Sequence, residues 1–408
     1  MSKVEKFKII NDPIYGFIKI ESGIINDLIN HKYFQRLRRI SQLGLSYLVY
    51  PGAQHTRFQH ALGCLHLMHK AIQQLTNKGH EITKDEEQAL KIAILLHDIG
   101  HGPFSHALEK TLVEEITHES LSLAFMHNLN DEFNGKLSLA IQIFKNTYHK
   151  KFLHQLVSSQ LDMDRLDYLK RDSFYTGVTE GNIGTDRIIN MLNVVNDNLV
   201  IEEKGIYSIE KFILARRLMY WQVYLHKTVI SAEFMIIKLI KRAKFLLAEN
   251  KTIYTTQSLY DLLKNKYSAS DFKDSKQLIN KFASLDDYDI YSCLKQWQHN
   301  DDLVLSTLSK NILNRNINKI MIKAEKVEDD LFLAKLKITQ EKYKIKKSDL
   351  KSLIYTGMVS NNIYSDENSN INILMKNGEI KDLSRASDHF NIEALNKKTN
   401  KYFISYPR

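Results

Sequence analysis

Residues 85–106 read DEEQALKIAILLHDIGHGPFSH. The stretch opens with acids, which suit the positive N-terminal end of a helix, and then turns apolar on every side. Such a helix has no face for water, so it belongs in the middle of a helical bundle. The pattern predicts a helix over 85–98. Gly100 suits its C-cap, and Pro103 suits the first turn of the next helix. His97 and Asp98 then fall at a helix end, with His101 in the turn and His106 beyond it.

A histidine–aspartate pair is common by chance, and a core histidine bonded to a neighbouring aspartate is an ordinary structural feature. At the end of this helix, however, a buried charge needs a partner or a metal. The spacing His97-Asp98-Ile99-Gly100-His101 also fits a zincin helix, but that motif needs one continuous helix, and Gly100, Gly102 and Pro103 argue against it. Neighbouring segments supply further donors. "HTRFQH" (55–60) offers His55 and His60, and "QLDMDRLDYLKRD" (160–172) offers Asp162, Asp164, Asp167 and Asp172. At helical spacing Asp164, Asp167, Tyr168, Arg171 and Asp172 lie along one side of a helix. Alone, that row reads first as solvated salt pairs.

Outward from these segments, "IINDPIYGFIKI" (9–20) reads as a hairpin, and 24–40 as a helix. "YLVYPGAQH" reads as a strand or loop. Helices are expected from about Thr56, then over 104–115, 118–130, 136–146 and 151–170, with an unbroken long helix over 208–249. Two or three helices are expected from 251 to 313. Strands follow at "NKIMIKA", around the Asn377-Gly378 turn, and at "KYFISY". The expected fold is mainly α: a helical bundle over 1–250, with a smaller C-terminal α+β region over 251–408.

The 408-residue chain can bury a large core, and its 43% hydrophobic and 25% charged content are ordinary for a globular protein. Four prolines, none between 104 and 406, suit long helices. The two cysteines, Cys64 and Cys293, supply no disulfide frame, which favours a reducing cytoplasm. No run approaches a membrane span or a leader. A net charge of +10 fits either a lysine-rich solvated surface or attraction to phosphate-bearing ligands.

Histidine, histidine–aspartate and aspartate on three separate helices resemble the HD phosphohydrolase superfamily. "NDPIYGFIKI", "FQRLRRISQLGLSYLVYPGAQHTRFQHALG", "LLHDIGHGPFSHALE" and "DMDRLDYLKRD" occur in order and resemble its deoxynucleotide triphosphohydrolase branch. The resemblance covers roughly residues 8–230. It implies a helical HD bundle that hydrolyses a dNTP to a deoxynucleoside and inorganic triphosphate. It implies one divalent metal (Mn, Fe, Mg, Co, Ni or Zn) on His60, His97, Asp98 and Asp164; mixed N/O ligands leave open positions for water and phosphate.

The resemblance also implies acid/base work for His106 and His118, oriented by Glu109, and a phosphate or leaving-group contact for His101. Arg57, Arg165 and Arg216 match phosphate contacts. Gln42, Tyr168, Asp172 and Tyr224 match residues around the deoxyribose, whereas Leu225 departs from a family glutamine. A homo-oligomer, dimer or tetramer, is implied, with a possible allosteric nucleotide near Lys8, Gln35, Arg38, Arg187, Lys204 and Lys227. Asn30 and Glu202 depart from that pattern, which argues against a guanine-specific effector. Two other readings stand beside this one. The first is another HD phosphohydrolase, acting on nucleotides or nucleic-acid ends. The second is a non-catalytic nucleotide sensor or nucleic-acid-binding protein, although the tail shows no obvious aromatic-and-basic module.

Overall fold

The computed structural model describes residues 7–113, 116–361, 370–388 and 399–408. The fold is mainly α, with three small sheets among the described residues. The expected N-terminal hairpin pairs Phe7–Asp12 with Gly16–Glu21. Asp12 Oδ1 accepts the Ile14 and Tyr15 amides at 3.0 Å and closes its turn.

Three capped helices carry the centre of the bundle. In Arg57–Asn77, the Gln59 side chain accepts the Thr56 N–H at 2.8 Å. In Lys84–Leu96, Thr83 and Glu86 cap each other's backbone amides. In Met163–Thr176, Asp162 accepts the Arg165 N–H at 2.7 Å. The first of these helices packs on the other two. Every residue from Ala89 to Leu96 is buried, so the decisive helix is internal as its sequence requires.

That helix ends at Leu96, so His97 and His101 share no continuous helix and the zincin arrangement is excluded. Gly100 serves differently from the expected cap. It is not in the left-handed region; a Cβ there would come within 2.3 Å of His118 O and Ser122 N. Glycine is needed for close packing of the turn on His118–Glu132. The left-handed residue is Phe104 (φ 48°), which directly precedes helix Ser105–Leu112.

Several expected helices are broken. Residues 24–40 form Ile24–Asn30, Lys32–Gln35 and a 3₁₀ turn Arg36–Arg39. The segment 47–55, expected as strand or loop, takes up the end of a 3₁₀ turn, Gly44–Leu48, and is loop from there on. Residues 151–170 split into Lys151–Val157 and the helix that Asp162 caps. The long helix divides into Ile206–Met219, a π-helical turn Tyr220–Tyr224, and Lys227–Ala248. The Leu225 N–H reaches Tyr220 O at 2.7 Å, the i→i+5 bond of a π turn.

Five helices, not two or three, lie between Gln257 and Leu313. Strand Thr399–Tyr406 sits between Lys319–Lys323 and Tyr355–Asn361. Helices Asp329–Tyr343 and Lys347–Leu353 join the expected strands of the tail. The Asn377-Gly378 turn closes a hairpin of Asn372–Leu374 and Ile380–Asp382. That hairpin adds in parallel to Asn198–Glu202, itself paired with Leu192–Val195. One hydrophobic core runs from Ile18 to Ile404, and a smaller cluster joins Ile230, Tyr355 and Phe403.

Candidate metal centre

His60 comes from the first capped helix, His97 and Asp98 from the end of the second, and Asp164 from the third. Their donor atoms converge. Asp164 Oδ1 lies 3.0 Å from His60 Nε2 and 3.5 Å from His97 Nε2. Asp98 Oδ1 lies 3.4 Å from His97 Nε2, and Asp98 Oδ2 lies 3.7 Å from His60 Nε2.

The outer nitrogen of each imidazole is already engaged. His60 Nδ1 donates to Asp167 Oδ2 at 2.7 Å, and His97 Nδ1 donates to Ile94 O at 2.6 Å. Both Nε2 lone pairs therefore face the cluster, as metal-binding histidines require. His97 Nε2 is buried and has no hydrogen-bond partner among the described residues. Burial raises the pKa of Asp164, but His60 and His97 outweigh it and hold the carboxyl well below the usual carboxylate range. Asp98 is likewise held low against burial, by His97, His101 and Arg57. An orphaned imidazole nitrogen between two anionic carboxylates fits a divalent cation with mixed N/O ligands.

The support behind His60 is a buried chain of charge. Arg171 grips Asp167 through Nε at 2.8 Å and Nη2 at 3.1 Å, and its Nη1 reaches Asp12 Oδ2 at 2.8 Å. Gly63 makes room for it, because a Cβ would fall 1.9 Å from Asp167 Oδ1. The i,i+4 pair Asp167–Arg171 was visible in the sequence; its role behind a ligand was not. Cys64, which the sequence shows only as a cysteine without a disulfide frame, places its Sγ 3.6 Å from both His60 ring nitrogens.

Beside this cluster, His101 and His118 stack at 3.9 Å with an 18° tilt. His101 Nε2 lies 3.4 Å from Asp98 Oδ1. Glu109 Oε1 accepts from both the His118 backbone N–H (2.6 Å) and Nδ1 (2.9 Å). The two imidazoles are driven apart electrostatically. Burial and Arg57 push His101 well below the usual histidine value, despite Asp98. For His118, burial is outweighed by the Glu109 hydrogen bond and the Asp98 and Glu119 charges, so its pKa rises. His101, Glu109 and His118 line a small cavity that Phe282 helps to wall. The side chain of His106 lies outside the described residues.

Arg57 is buried with its guanidinium on Asp98. Arg165 donates to Ser159 O at 2.6 Å, and Arg216 to Gln160 Oε1 at 2.8 Å, so both hold the loop before Asp162. Both also act electrostatically on the Tyr168 phenol, which places them on the Asp164 side of the bundle.

Asp172 is clamped between His55 Nε2 (2.7 Å) and the Tyr224 hydroxyl (2.8 Å). Tyr168 and Tyr220 approach the Tyr224 ring edge-on, at 6.1 and 5.2 Å. The Gln42 amide donates to His55 O at 3.0 Å, and Gln42 Oε1 is buried without a partner among the described residues. His55 was noted as a donor in the sequence, but its contact with Asp172 was not foreseen. Elsewhere, Arg38 donates to Gln35 Oε1 at 2.9 Å and Arg187 to Lys204 O at 3.1 Å. Lys8 lies on the N-terminal hairpin, and Lys227 opens helix Lys227–Ala248.

Comparison with known proteins matches residues 57–172 to the HD domain and 183–262 to the HD associated region. The uncharacterized protein YwfO of Bacillus subtilis (strain 168) is 31% identical, over 100% of this chain and 93% of its own. The crystal structure of a phosphohydrolase from Bacteroides thetaiotaomicron VPI-5482 is 52% identical. It superimposes with a TM-score of 0.96, over 99% of this chain and 100% of its own. A Dictyostelium discoideum protein named deoxynucleoside triphosphate triphosphohydrolase SAMHD1 homolog is 33% identical over 56% of this chain. This chain spans 48% of that protein's length.

Proposed function

The chain belongs to the HD-domain phosphohydrolases, in the branch that holds proteins named deoxynucleoside triphosphate triphosphohydrolases, and from that premise we propose that it hydrolyses dNTPs to deoxynucleoside and inorganic triphosphate. One observation carries the reading. The His60–His97–Asp98–Asp164 cluster adjoins a Glu109-backed histidine with a raised pKa, and helix Met163–Thr176, which supplies Asp164, also supplies Asp172 to a tyrosine-walled clamp. Such a site offers a place for phosphate, a proton donor and a place for sugar.

A bound divalent cation would supply Lewis acidity toward the phosphate. Arg165 and Arg216 would balance the remaining phosphate charge, and the +10 net charge favours capture of a polyanion. As water attacks the α-phosphorus and the bond to the 5′-oxygen breaks, His118, its pKa raised by Glu109, would give its proton to the departing 5′-oxygen, and the proton lost by the water would pass to solvent. His101, kept neutral, would accept or relay hydrogen bonds beside it. The Asp172 oxygens, each using one lone pair on His55 or Tyr224, would accept the sugar 3′-hydroxyl with the other. Tyr168 and Tyr224 would pack on the sugar and leave no room for a 2′-hydroxyl. We extend the proposal to a homo-oligomer with a regulatory nucleotide bound by basic residues of more than one copy.

The test is to incubate metal-loaded protein with each dNTP and identify the phosphorus product by ³¹P NMR. Intact triphosphate is expected. Pyrophosphate or orthophosphate would reassign the chain to another HD reaction, and absent turnover would leave a binding role.

A further inference from the structure

Asp287 lies far along the chain from the proposed metal ligands, the stacked histidines and the sugar-side residues, yet it is buried at the start of helix Asp287–Trp297 with both carboxylate oxygens engaged. Oδ1 accepts the Phe104 amide at 3.0 Å, and Oδ2 accepts the Ser41 amide at 2.8 Å. We infer that Asp287 is a positioning residue that holds the histidine turn and the Gln42–His55 wall in register across the active site. This rests on the site proposed above.

Each amide belongs to a segment that carries site residues. Phe104 ends the turn containing His101 and leads into helix Ser105–Leu112, whose Glu109 holds His118. A phenylalanine at φ 48° adopts that conformation only when its surroundings enforce it. The Asp287 acceptor and the Tyr291 ring, 5.5 Å away and edge-on, are such surroundings. Ser41 forms an isolated β-bridge with Thr56, and the neighbouring Gln42 amide donates to His55 O. His55 in turn holds Asp172. One carboxylate thus ties the phosphate side of the site to the sugar side.

Nearby contacts reinforce the same joint. The buried Arg36 donates to Ile99 O at 2.6 Å and to Leu285 O at 3.4 Å, bridging the turn to the residues before Asp287. The Tyr47 and Tyr291 hydroxyls meet at 2.5 Å. His60 and Asp164 stand on other helices, and His97 and Asp98 are anchored by the buried helix Lys84–Leu96 that precedes them, so loosening this joint should leave the metal in place. Catalysis is more sensitive than folding to such loosening, since a misplacement near 1 Å can cost on the order of a hundredfold in rate.

The test compares Asp287→Ala, Asp287→Asn and the control Asp289→Ala. Asp289 caps the same helix start through the Asp286 amide, but the bonds to Ser41 and Phe104 belong to Asp287. Asparagine keeps one oxygen acceptor and turns an NH₂ toward the second amide, so it should release one wall. Asp287→Ala should speed hydrogen exchange in both 40–43 and 99–104, retain metal, and lower dNTP kcat roughly ten- to hundredfold at temperatures where it is fully folded. Asp287→Asn should do so in one segment, and Asp289→Ala in neither. If Asp287→Ala does not fold, the Asn variant carries the comparison. Unchanged exchange in both segments would overturn the inference whatever the substrate proves to be. So would activity that falls only with the folded fraction, or equal effects from Asp289→Ala. A wild type that turns over no dNTP would instead overturn the proposed reaction while leaving the exchange comparison readable.

Discussion

Asp167→Asn perturbs the candidate centre without touching a proposed ligand. In the wild type, Asp167 accepts the His60 Nδ1 proton at 2.7 Å and receives two bonds from Arg171. An asparagine has one oxygen: it fills either the Oδ2 position, which serves His60 Nδ1 and Arg171 Nε, or the Oδ1 position, which serves only Arg171 Nη2. In the first case its NH₂ points at the guanidinium; in the second the imidazole loses its acceptor and its fixed tautomer. In both cases a buried cation loses charge compensation, because Asp12 alone remains as an anion on Arg171. Breaking a buried pair costs about 3–5 kcal/mol, and the retained Asp12 contact argues for the lower end, about 3 kcal/mol. Loss of a group behind a histidine ligand typically weakens metal binding by about 10–100-fold, or roughly 1.4–2.7 kcal/mol. Competition with a chelator, followed by elemental analysis, measures the affinity. Denaturant melts with and without metal separate it from stability. Wild-type metal affinity in a folded Asp167→Asn protein would refute the argument that this chain orients His60.

Other perturbations act on neighbouring parts. His118→Ala should lower dNTP turnover by roughly a hundredfold or more while metal content stays constant, as measured by steady-state kinetics and elemental analysis. Glu109→Gln keeps an acceptor but removes the negative charge that helps raise the His118 pKa, so the high-pH limb of the kcat profile should move to lower pH; a limb that stays in place would assign the acid elsewhere. Tyr224→Ala should narrow the preference for dATP over ATP in kcat/KM, and equal wild-type values would exclude a deoxyribose-selective pocket. Finally, burial lowers the His60 pKa, but Cys64, Asp164 and Asp167 raise it by more, to well above the usual histidine value. Metal-free protein should therefore have this contribution in full below about pH 6.5 and lose it as pH rises through the raised value. Metal displaces that proton, so affinity should strengthen with pH over the same window, readable by metal titration at several pH values.

What the sequence made legible was local. The capped, all-apolar helix and the Asn377-Gly378 hairpin follow from patterns within a few residues. The π turn at Tyr220–Tyr224 has no glycine or proline to announce it. It is held by tertiary contacts: Tyr50 donates to Gln222 O at 2.5 Å, and the Tyr224 hydroxyl reaches Asp172. The Leu192–Glu202 hairpin could have been read, since Asn196 and Asp197 both take positive φ between alternating residues. Asp287 could not, because its meaning lies in two amides on distant segments. The metal cluster itself was reachable only because a family resemblance joined three helices that no spacing rule connects.

The chain Asp12–Arg171–Asp167–His60 is a poor way to stabilise a core. Desolvating such charges offsets much of their attraction, and apolar replacements of similar volume are often neutral or stabilising. The surrounding core is ample, running from the N-terminal strands to the last one, so the fold has no evident need of it. What the chain does provide is direction. It fixes the His60 tautomer, turns Nε2 toward Asp164, and ties that ring to the hairpin through Asp12. Gly63 shows the same priority, since any larger residue would collide with Asp167 and Arg171. A core sequence that gives up side-chain volume to seat a buried ion pair behind one imidazole is arranged around the orientation of that imidazole. This is the arrangement a metal ligand requires and a merely structural histidine does not.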